Sequence, residues 1–220
     1  TMDAIKSYIL RHGLRPGDHL PTESALCADL GVSRSSVREA LRKLQALDIV
    51  TVRQGSGSYV GDMSLQPMVE TLVLRAALED INGVQSLHSI VETRHALDLG
   101  IALPLTRAMK GTSNPELWEL VNTMTDHAHA GETYFDQDIA FHSGLLAYLK
   151  NPLMHQLVAA MWLVHQSVTP QLAAASREEM EDTAEAHAAI LRACEAGDVE
   201  AYAAAVDAHY EPLMAIIEGR

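Results

Sequence analysis

Leu30-Gly31-Val32-Ser33-Arg34-Ser35-Ser36-Val37-Arg38-Glu39-Ala40-Leu41 holds a helix end, a tight turn and a helix start in one short run. Gly31 is the usual residue just past a helix C-terminus, because it enters the left-handed region without the penalty a Cβ would bring. Ser33 is a favoured N-cap, its hydroxyl accepting from a backbone N–H of the first turn. Beyond it Val37, Ala40, Leu41 and Leu44 fall on one stripe, which predicts a helix from Arg34 to about Leu47. Upstream, Thr22 follows Leu20-Pro21 and caps a shorter helix, Glu23–Leu30. Two helices joined through Gly31-Val32-Ser33 read as a helix-turn-helix.

The flanks extend that reading. Met2 to about His12 carries Ile5, Ile9 and Leu10 at helical spacing and stops before the turn residues Arg15-Pro16-Gly17-Asp18. Downstream, Ile49-Val50-Thr51-Val52 and Ser58-Tyr59-Val60 are strand-like, and Gln54-Gly55-Ser56-Gly57 joins them into a hairpin, the wing of a winged helix-turn-helix. Ser33, Arg34, Ser35, Ser36 and Arg38 crowd the start of the second helix, the end that enters a DNA major groove. There arginine can donate two hydrogen bonds to guanine, and serine can bond to phosphate or base. Arg42 and Lys43 continue the basic face. The competing reading is a cap surrounded by ordinary solvated arginines, since helix-turn-helix shapes also serve as plain packing units.

A net charge of −13 looks wrong for a DNA binder until it is divided along the chain. Residues 1–61 hold eight Lys and Arg against six Asp and Glu, a balance of +2, while residues 62–220 hold eight against twenty-three, a balance of −15. The acidic part repels DNA, so DNA contact is confined to the N-terminal part and is expected to weaken steeply with salt. Nine of the eleven histidines also lie beyond residue 61. The length of 220 residues suits two modest domains, and we place them at 1–62, the winged helix-turn-helix, and 63–220. No apolar run approaches the ~20 residues of a membrane span, and no charged-then-apolar leader opens the chain. Cys27 and Cys194 lie far apart inside helical patterns. A soluble, cytoplasmic protein with reduced, non-redox thiols is expected.

From about residue 65 the chain reads as successive amphipathic helices, at roughly 65–78, 84–110, 114–128, 132–149, 152–173, 177–196 and 199–218. Asn114-Pro115, Asn151-Pro152, Ser176 with Glu179 as a capping box, and Gly197-Asp198 mark the joins. The expected architecture is an antiparallel α-helical bundle, making the whole protein mainly α.

Polar residues on the core-facing stripes of that bundle point to a site. His209 is in phase with Val199, Tyr202, Val206, Tyr210, Leu213 and Ile217, and His187 with Met180, Ala184, Ile190, Leu191 and Cys194. Asp138 and His142 lie i, i+4 on one face, and Arg94 falls among Leu87, Ile90, Val91 and Ile101. Such groups must find partners or a bound species, because burying them unpaired is costly. His187 stands ten residues before Gly197 and His209 eleven after Asp198, so at ~1.5 Å per residue both reach the same height, ~15–16 Å from the turn. One carboxylate and three imidazoles form a ligand set suited to a divalent metal, zinc first, with nickel, manganese or iron as alternatives. Taken singly, each histidine reads more simply as a core residue bonded to a backbone carbonyl. His165, on the same side as Met161 and Val168, is a candidate pocket-lining residue. His95, His127, His129 and His155 read as surface or packing residues.

Two runs of sequence resemble a known family. Pro16-Gly17-Asp18-His19-Leu20-Pro21-Thr22-Glu23, the helix-turn-helix run quoted first, and Gly55-Ser56-Gly57-Ser58-Tyr59-Val60 are similar in order and spacing to the DNA-binding signature of GntR-family regulators. The resemblance implies that Ser33, Arg34, Ser35 and Arg38 contact operator DNA, with Gln54 and Gly55 at the wing tip in or beside the minor groove. Two positions depart from that pattern: Ser24 stands where a basic contact residue is usual, and Asp48 where glycine is common. Asp138-Ile139-Ala140-Phe141-His142, Glu185-Ala186-His187-Ala188-Ala189-Ile190 and Ala208-His209 resemble the FadR-type (FCD) ligand-binding domain of the same family. That likeness implies a metal held by Asp138, His142, His187 and His209, and an Arg94 that meets the carboxylate of a small acid effector.

The expected function is a homodimeric transcription regulator that binds a short palindromic operator and is controlled by a small carboxylate metabolite at a metal site in the helical domain. A metal-dependent helical-bundle enzyme with an accessory DNA-binding domain is one alternative, and a regulator with a purely structural metal is another. Against the enzyme, no free carboxylate is clearly placed as a general base, and no Ser or Cys stands in a nucleophile motif.

Overall fold

The computed structural model describes residues 1–79, 84–168 and 176–219. Contacts between Cα atoms divide the chain into two compact units, Thr1–Met68 and Val69–Arg220.

The first unit is a winged helix-turn-helix. Helix α1 (Met2–Arg11) buries Ile5 and Ile9, α2 (Glu23–Leu30) buries Leu26, and α3 (Arg34–Ala46) buries Val37, Ala40, Leu41 and Leu44. These side chains form one core with Leu20, Val50 and Val60. Thr22 Oγ1 accepts from Ala25 N at 3.2 Å, and Ser33 Oγ accepts from Ser36 N at 3.2 Å, so both helices start on the caps their sequence offers. Gly31, at φ +64°, closes α2. Strands β1 (Val50–Arg53) and β2 (Gly57–Val60) pair antiparallel with Val50 opposite Val60 and Arg53 opposite Gly57.

The corner that launches β1 explains the residue where glycine is common. Asp48 is held at φ +56°, a conformation costly for most side chains and better tolerated by Asp and Asn. Its Oδ2 accepts from Ser64 N at 2.9 Å, and its backbone carbonyl accepts from Met63 N at 2.9 Å. Gly61 passes so close that a Cβ there would sit 2.3 Å from the Asp48 carbonyl oxygen.

Helix α4 (Gln66–Glu79) leads into the second unit. That unit holds α5 (Val84–Gly100), α6 (Ala102–Met109), α7 (Pro115–Ala130), α8 (Phe135–Leu146), α9 (Pro152–Val168), α10 (Arg177–Ala196) and α11 (Val199–Glu218). The antiparallel hairpin of α10 and α11 is its centre. Helices α6 and α7 lie against α10, while α5 packs against both α11 and α9. The core contains Leu87, Val91, Leu105, Met109, Met124, Phe141, Val164, Ile190, Leu191, Tyr202 and Val206. Among the described residues, no helix is long and apolar enough to cross a membrane.

The helix pattern departs from expectation at 84–110, which is two helices rather than one. Ile101, at φ −92°, ψ −3°, is the junction between them. The cause is Pro104, which cannot donate to the carbonyl of Gly100 four residues back and crowds it sterically. The expected helix 132–149 is shorter, Phe135–Leu146. Of 152–173, residues Pro152–Val168 are helical and 169–173 lie outside the described residues. The α10–α11 hairpin has the expected bounds, fixed by the Ser176–Glu179 capping box, Gly197 at φ +72° and the Asp198 cap on Ala201 N.

Candidate metal and effector site

Three helices of the second unit bring Asp138, His142, His187 and His209 together. The first two come from consecutive turns of α8, His187 from α10 and His209 from α11. One ligating atom from each lies within 4.8 Å of the others. The rings of His187 and His209 are 4.5 Å apart, as their equal distances from the hairpin turn require. His142 is 5.3 Å from His209 and 5.4 Å from His187. All three imidazoles are buried, and Phe141 packs edge-on against His142 and His187.

The hydrogen bonds of this cluster do not close by themselves. His187 Nδ1 is 2.7 Å from the Thr183 carbonyl oxygen. A carbonyl can only accept, so Nδ1 carries the proton and a neutral His187 presents the lone pair of Nε2. That Nε2 faces Asp138 Oδ1 at 2.7 Å. Two acceptors face each other unless a proton or a metal cation supplies the positive charge between them. His142 Nε2 lies 3.3 Å from the same oxygen without hydrogen-bond geometry, and His209 Nδ1 is buried with no hydrogen-bond partner among the described residues.

Electrostatics keep the donors in the states a metal requires. Burial raises the Asp138 carboxyl, but the close approach of the His142 and His187 imidazoles outweighs it and holds the group well below the usual carboxylate range. Burial pushes His209 well below the ordinary imidazole value, and the neighbouring His187 and His142 add to the effect. An ionised carboxylate beside imidazoles with free nitrogens fits a divalent metal, and the cluster can hold one.

Beside the cluster lies a buried cation. Arg94, on α5, is 3% exposed, and its Nε and Nη2 have no hydrogen-bond partner among the described residues. Its guanidinium lies 3.7 Å from the ring centroid of Trp162 on α9, and the Trp162 ring is 5.0 Å from that of His142. His165 is buried 5.8 Å from Trp162, outside the four-residue cluster. Burial first, and then Arg94, lower its pKa to about 3. It is buried and neutral at ordinary pH.

Trp162 and Asp98 were not singled out from sequence. Trp162 sits in the apolar run Met161-Trp162-Leu163-Val164, which reads as core. Asp98 lies four residues after Arg94, and its position in phase with Val91 and Arg94 was the available signal. Its buried Oδ2 accepts from Tyr210 Oη at 2.6 Å. Tyr210 is held protonated mainly by burial, with Arg94 countering and Asp98 adding.

In the first unit, Ser33, Arg34, Ser35 and Arg38 are exposed at the start of α3, while Ser36 is half-buried. Ser33 Oγ also meets Ser35 Oγ at 2.8 Å and Ser36 Oγ at 2.9 Å. Arg34 Nη2 donates to Ser24 Oγ at 2.9 Å, so the hydroxyl where a basic residue is usual engages a neighbouring arginine. Arg38 reaches Glu23 through Nε and Nη2 at 3.4 and 3.2 Å. Gln54 and Gly55 are exposed at the wing tip, with Gly55 at φ +74°. Elsewhere, His95 pairs with Asp207 at 2.7 Å, and His127 bonds to the Thr133 carbonyl at 3.1 Å.

Residues 1–60 match the profile described as bacterial regulatory proteins, gntR family, and residues 89–212 match the FCD domain. The chain belongs to the GntR family, in its FCD branch. It is similar to the uncharacterized HTH-type transcriptional regulator YcbG of Bacillus subtilis (strain 168), 31% identical over 72% of this chain and 64% of that protein, a little under two thirds of its length. It is also similar to the HTH-type transcriptional regulator LutR of the same organism, 28% identical over 94% of each chain. The solved structure of Streptococcus agalactiae GntR is 28% identical, with a TM-score of 0.67, covering 100% of this chain and 98% of that one. This GntR-family chain is therefore a DNA-binding transcription regulator, and the comparison with regulators overturns the alternative of a metal-dependent enzyme.

Proposed function

We propose that this GntR-family regulator binds a divalent metal through Asp138, His142, His187 and His209, and that a small carboxylate effector bound beside it controls affinity for operator DNA. The observation that supports this reading most is Arg94. A buried guanidinium whose Nε and Nη2 have no hydrogen-bond partner among the described residues awaits an anion. The open pair, Nε and Nη2, is one side of the fork and matches the two oxygens of a carboxylate. Zinc suits the mixed imidazole and carboxylate donors, as do nickel, manganese and iron. When bound, the metal supplies a Lewis-acidic centre with coordination positions left for an effector oxygen.

Ser33, Arg34, Ser35, Ser36 and Arg38 read the major groove, with Gln54 and Gly55 at the wing. Two copies of the chain, in the cytoplasm, bind a short palindrome with half-sites about one helical turn apart or somewhat less. The effector acts by binding two states of the helical domain unequally, which couples its site to operator affinity. The test is operator affinity of the zinc-loaded protein with and without candidate acids, in wild type and Arg94→Gln. The reading expects an acid that changes wild-type affinity severalfold and leaves Arg94→Gln unmoved. An equal response in both proteins overturns it.

A further inference from the structure

The four proposed ligands are divided between two parts of the helical unit. Asp138 and His142 ride on α8, while His187 and His209 belong to the α10–α11 hairpin. Yet α8 packs on α7 and, less extensively, on α9, and its backbone does not lie closely against α10 or α11 among the described residues. A small slide or roll of α8 would carry both of its donors away from the imidazoles at once, since residues at i and i+4 share one face. A metal site tolerates little of that, because ligand distances must hold to within about 0.2 Å.

Tyr134 joins the two parts. It immediately precedes α8, at the position where Ser, Thr, Asp or Asn would cap the helix, and its side chain makes no cap bond. Its carbonyl accepts from Asp138 N at 3.0 Å, and its Oη donates to the Met180 carbonyl oxygen of α10 at 2.7 Å. The same residue is thus bonded through its backbone to a ligand residue and through its side chain to the opposite helix.

The landing point of that bond is close to the ligand on α10. Met180, Thr183 and His187 follow at i, i+3 and i+7 on one face, and the Thr183 carbonyl is the group that holds His187 Nδ1. A carbonyl oxygen has two lone pairs, so Met180 can take the phenol without losing its place in α10. Burial raises the Tyr134 pKa and the nearby Asp138 charge adds to it, with the Thr183 hydroxyl acting the other way, so the phenol stays a donor.

We propose that Tyr134 is a positioning residue of the metal centre: its bond to Met180 fixes α8 against α10 at the height where Asp138 and His142 meet His187 and His209. This rests on the metal reading above and names a residue outside the ligand set that holds the ligands in register.

Tyr134→Phe tests it, because the ring stays and only the hydroxyl goes. Glu195→Ala is the comparison, since it removes a different tie onto α10, from Asn114 and Trp118, and none of the four ligands. The full chain is stripped with EDTA, and zinc affinity is measured by competition against a chromophoric chelator. The visible absorption of the cobalt-loaded protein reports the coordination geometry. Tyr134→Phe should weaken zinc binding roughly tenfold, the low end for loss of an outer-sphere partner, and should change the position and intensity of the cobalt bands. Far-UV circular dichroism of its metal-free form should match wild type. Glu195→Ala should lose stability but keep the wild-type zinc affinity and cobalt bands. Wild-type zinc affinity and cobalt bands in Tyr134→Phe, or an equal weakening in both variants, overturns the role of Tyr134 and leaves the metal site standing. Loss of the helical signal in metal-free Tyr134→Phe would make the hydroxyl a prop of the whole unit, and likewise overturns its role at the metal. Failure of the wild-type chain to bind either metal overturns the metal reading and this one with it.

Discussion

His187 Nε2 lies 2.7 Å from Asp138 Oδ1 while the opposite ring nitrogen is committed to the Thr183 carbonyl. One backbone hydrogen bond thus decides which nitrogen of His187 faces the cluster. Such a contact is what orients an imidazole that ligates a metal, the role proposed for His187. Asp138 stays ionised in this surrounding, so the cluster has a fixed negative charge and a directed lone pair before any cation arrives.

His187→Ala should therefore lose bound metal altogether, rather than lower its occupancy slightly. Elemental analysis of the purified variant against wild type is the direct measurement. Wild type should gain thermal stability on zinc addition, by about 2.7 kcal/mol at a free metal concentration 100 times Kd, and the variant should gain almost none. Full metal occupancy in His187→Ala would falsify the assignment.

Acid should destabilise the metal-free protein through His165. Its folded pKa is lowered to about 3 by burial and by Arg94, against 6.5 for an ordinary histidine. The unfolded chain takes up the proton more readily, so this stability is complete above pH 6.5 and is lost as pH falls from there toward 3. By pH 5 the loss from this group is about 2 kcal/mol. Urea unfolding of EDTA-treated protein at pH 7 and pH 5 measures it. His165→Gln should flatten the pH dependence by that amount, and an unchanged slope would show that His165 does not contribute.

Much of this was legible in the sequence, for reasons visible in single residues. The helix-turn-helix was readable because Thr22, Gly31 and Ser33 are local signals acting within a turn. The clustering of His187 with His209 was readable because helix rise and one hairpin turn at Gly197-Asp198 set their heights, and Asp138 and His142 because they lie one turn apart on one face. The break at Ile101 was missed because periodicity continues through it, although Pro104 announced it four residues after Gly100. Trp162 was invisible for a different reason. An indole in an apolar run looks like core packing, and only the three-dimensional surroundings show that its N–H has no acceptor among the described residues.

Gly61→Ala should unfold or distort the DNA-binding unit. The added Cβ would lie 2.3 Å from the Asp48 carbonyl oxygen, a backbone atom already fixed by its bond from Met63 N. Asp48 is itself at positive φ and cannot shift easily. Overpacking of this kind costs about 1–3 kcal/mol. Operator affinity should fall while zinc content, which depends on α8, α10 and α11, is unchanged. Wild-type operator binding at the wild-type melting temperature would contradict the close approach.

Glu195→Ala should destabilise the helical unit without touching the metal. The Glu195 carboxylate accepts from Asn114 N at 3.0 Å, Asn114 Nδ2 at 2.9 Å and Trp118 Nε1 at 3.1 Å, tying the end of α10 to the start of α7. Truncation strands three donors, two of them on the buried Asn114, for a cost of about 2–4 kcal/mol. Chemical denaturation followed by far-UV circular dichroism gives the value. A loss below about 0.5 kcal/mol would mean that water replaces all three bonds.

Arg34→Ala combined with Arg38→Ala should abolish specific operator binding while leaving the fold intact. In the chain alone, Arg34 rests on Ser24, and Arg38 forms an ion pair with Glu23 whose side chains are 59% and 38% exposed. Exposed pairs of this type contribute about 0–1 kcal/mol, so exchanging them for DNA contacts costs little. If each guanidinium reads a base edge, its loss is about 1–3 kcal/mol, and the double variant should bind operator at least roughly thirtyfold more weakly. The salt dependence separates the two kinds of contact. A slope of log affinity against log salt that falls by about one per arginine marks phosphate contacts, and an unchanged slope marks base contacts. Unchanged operator affinity would instead show that the start of α3 does not face DNA.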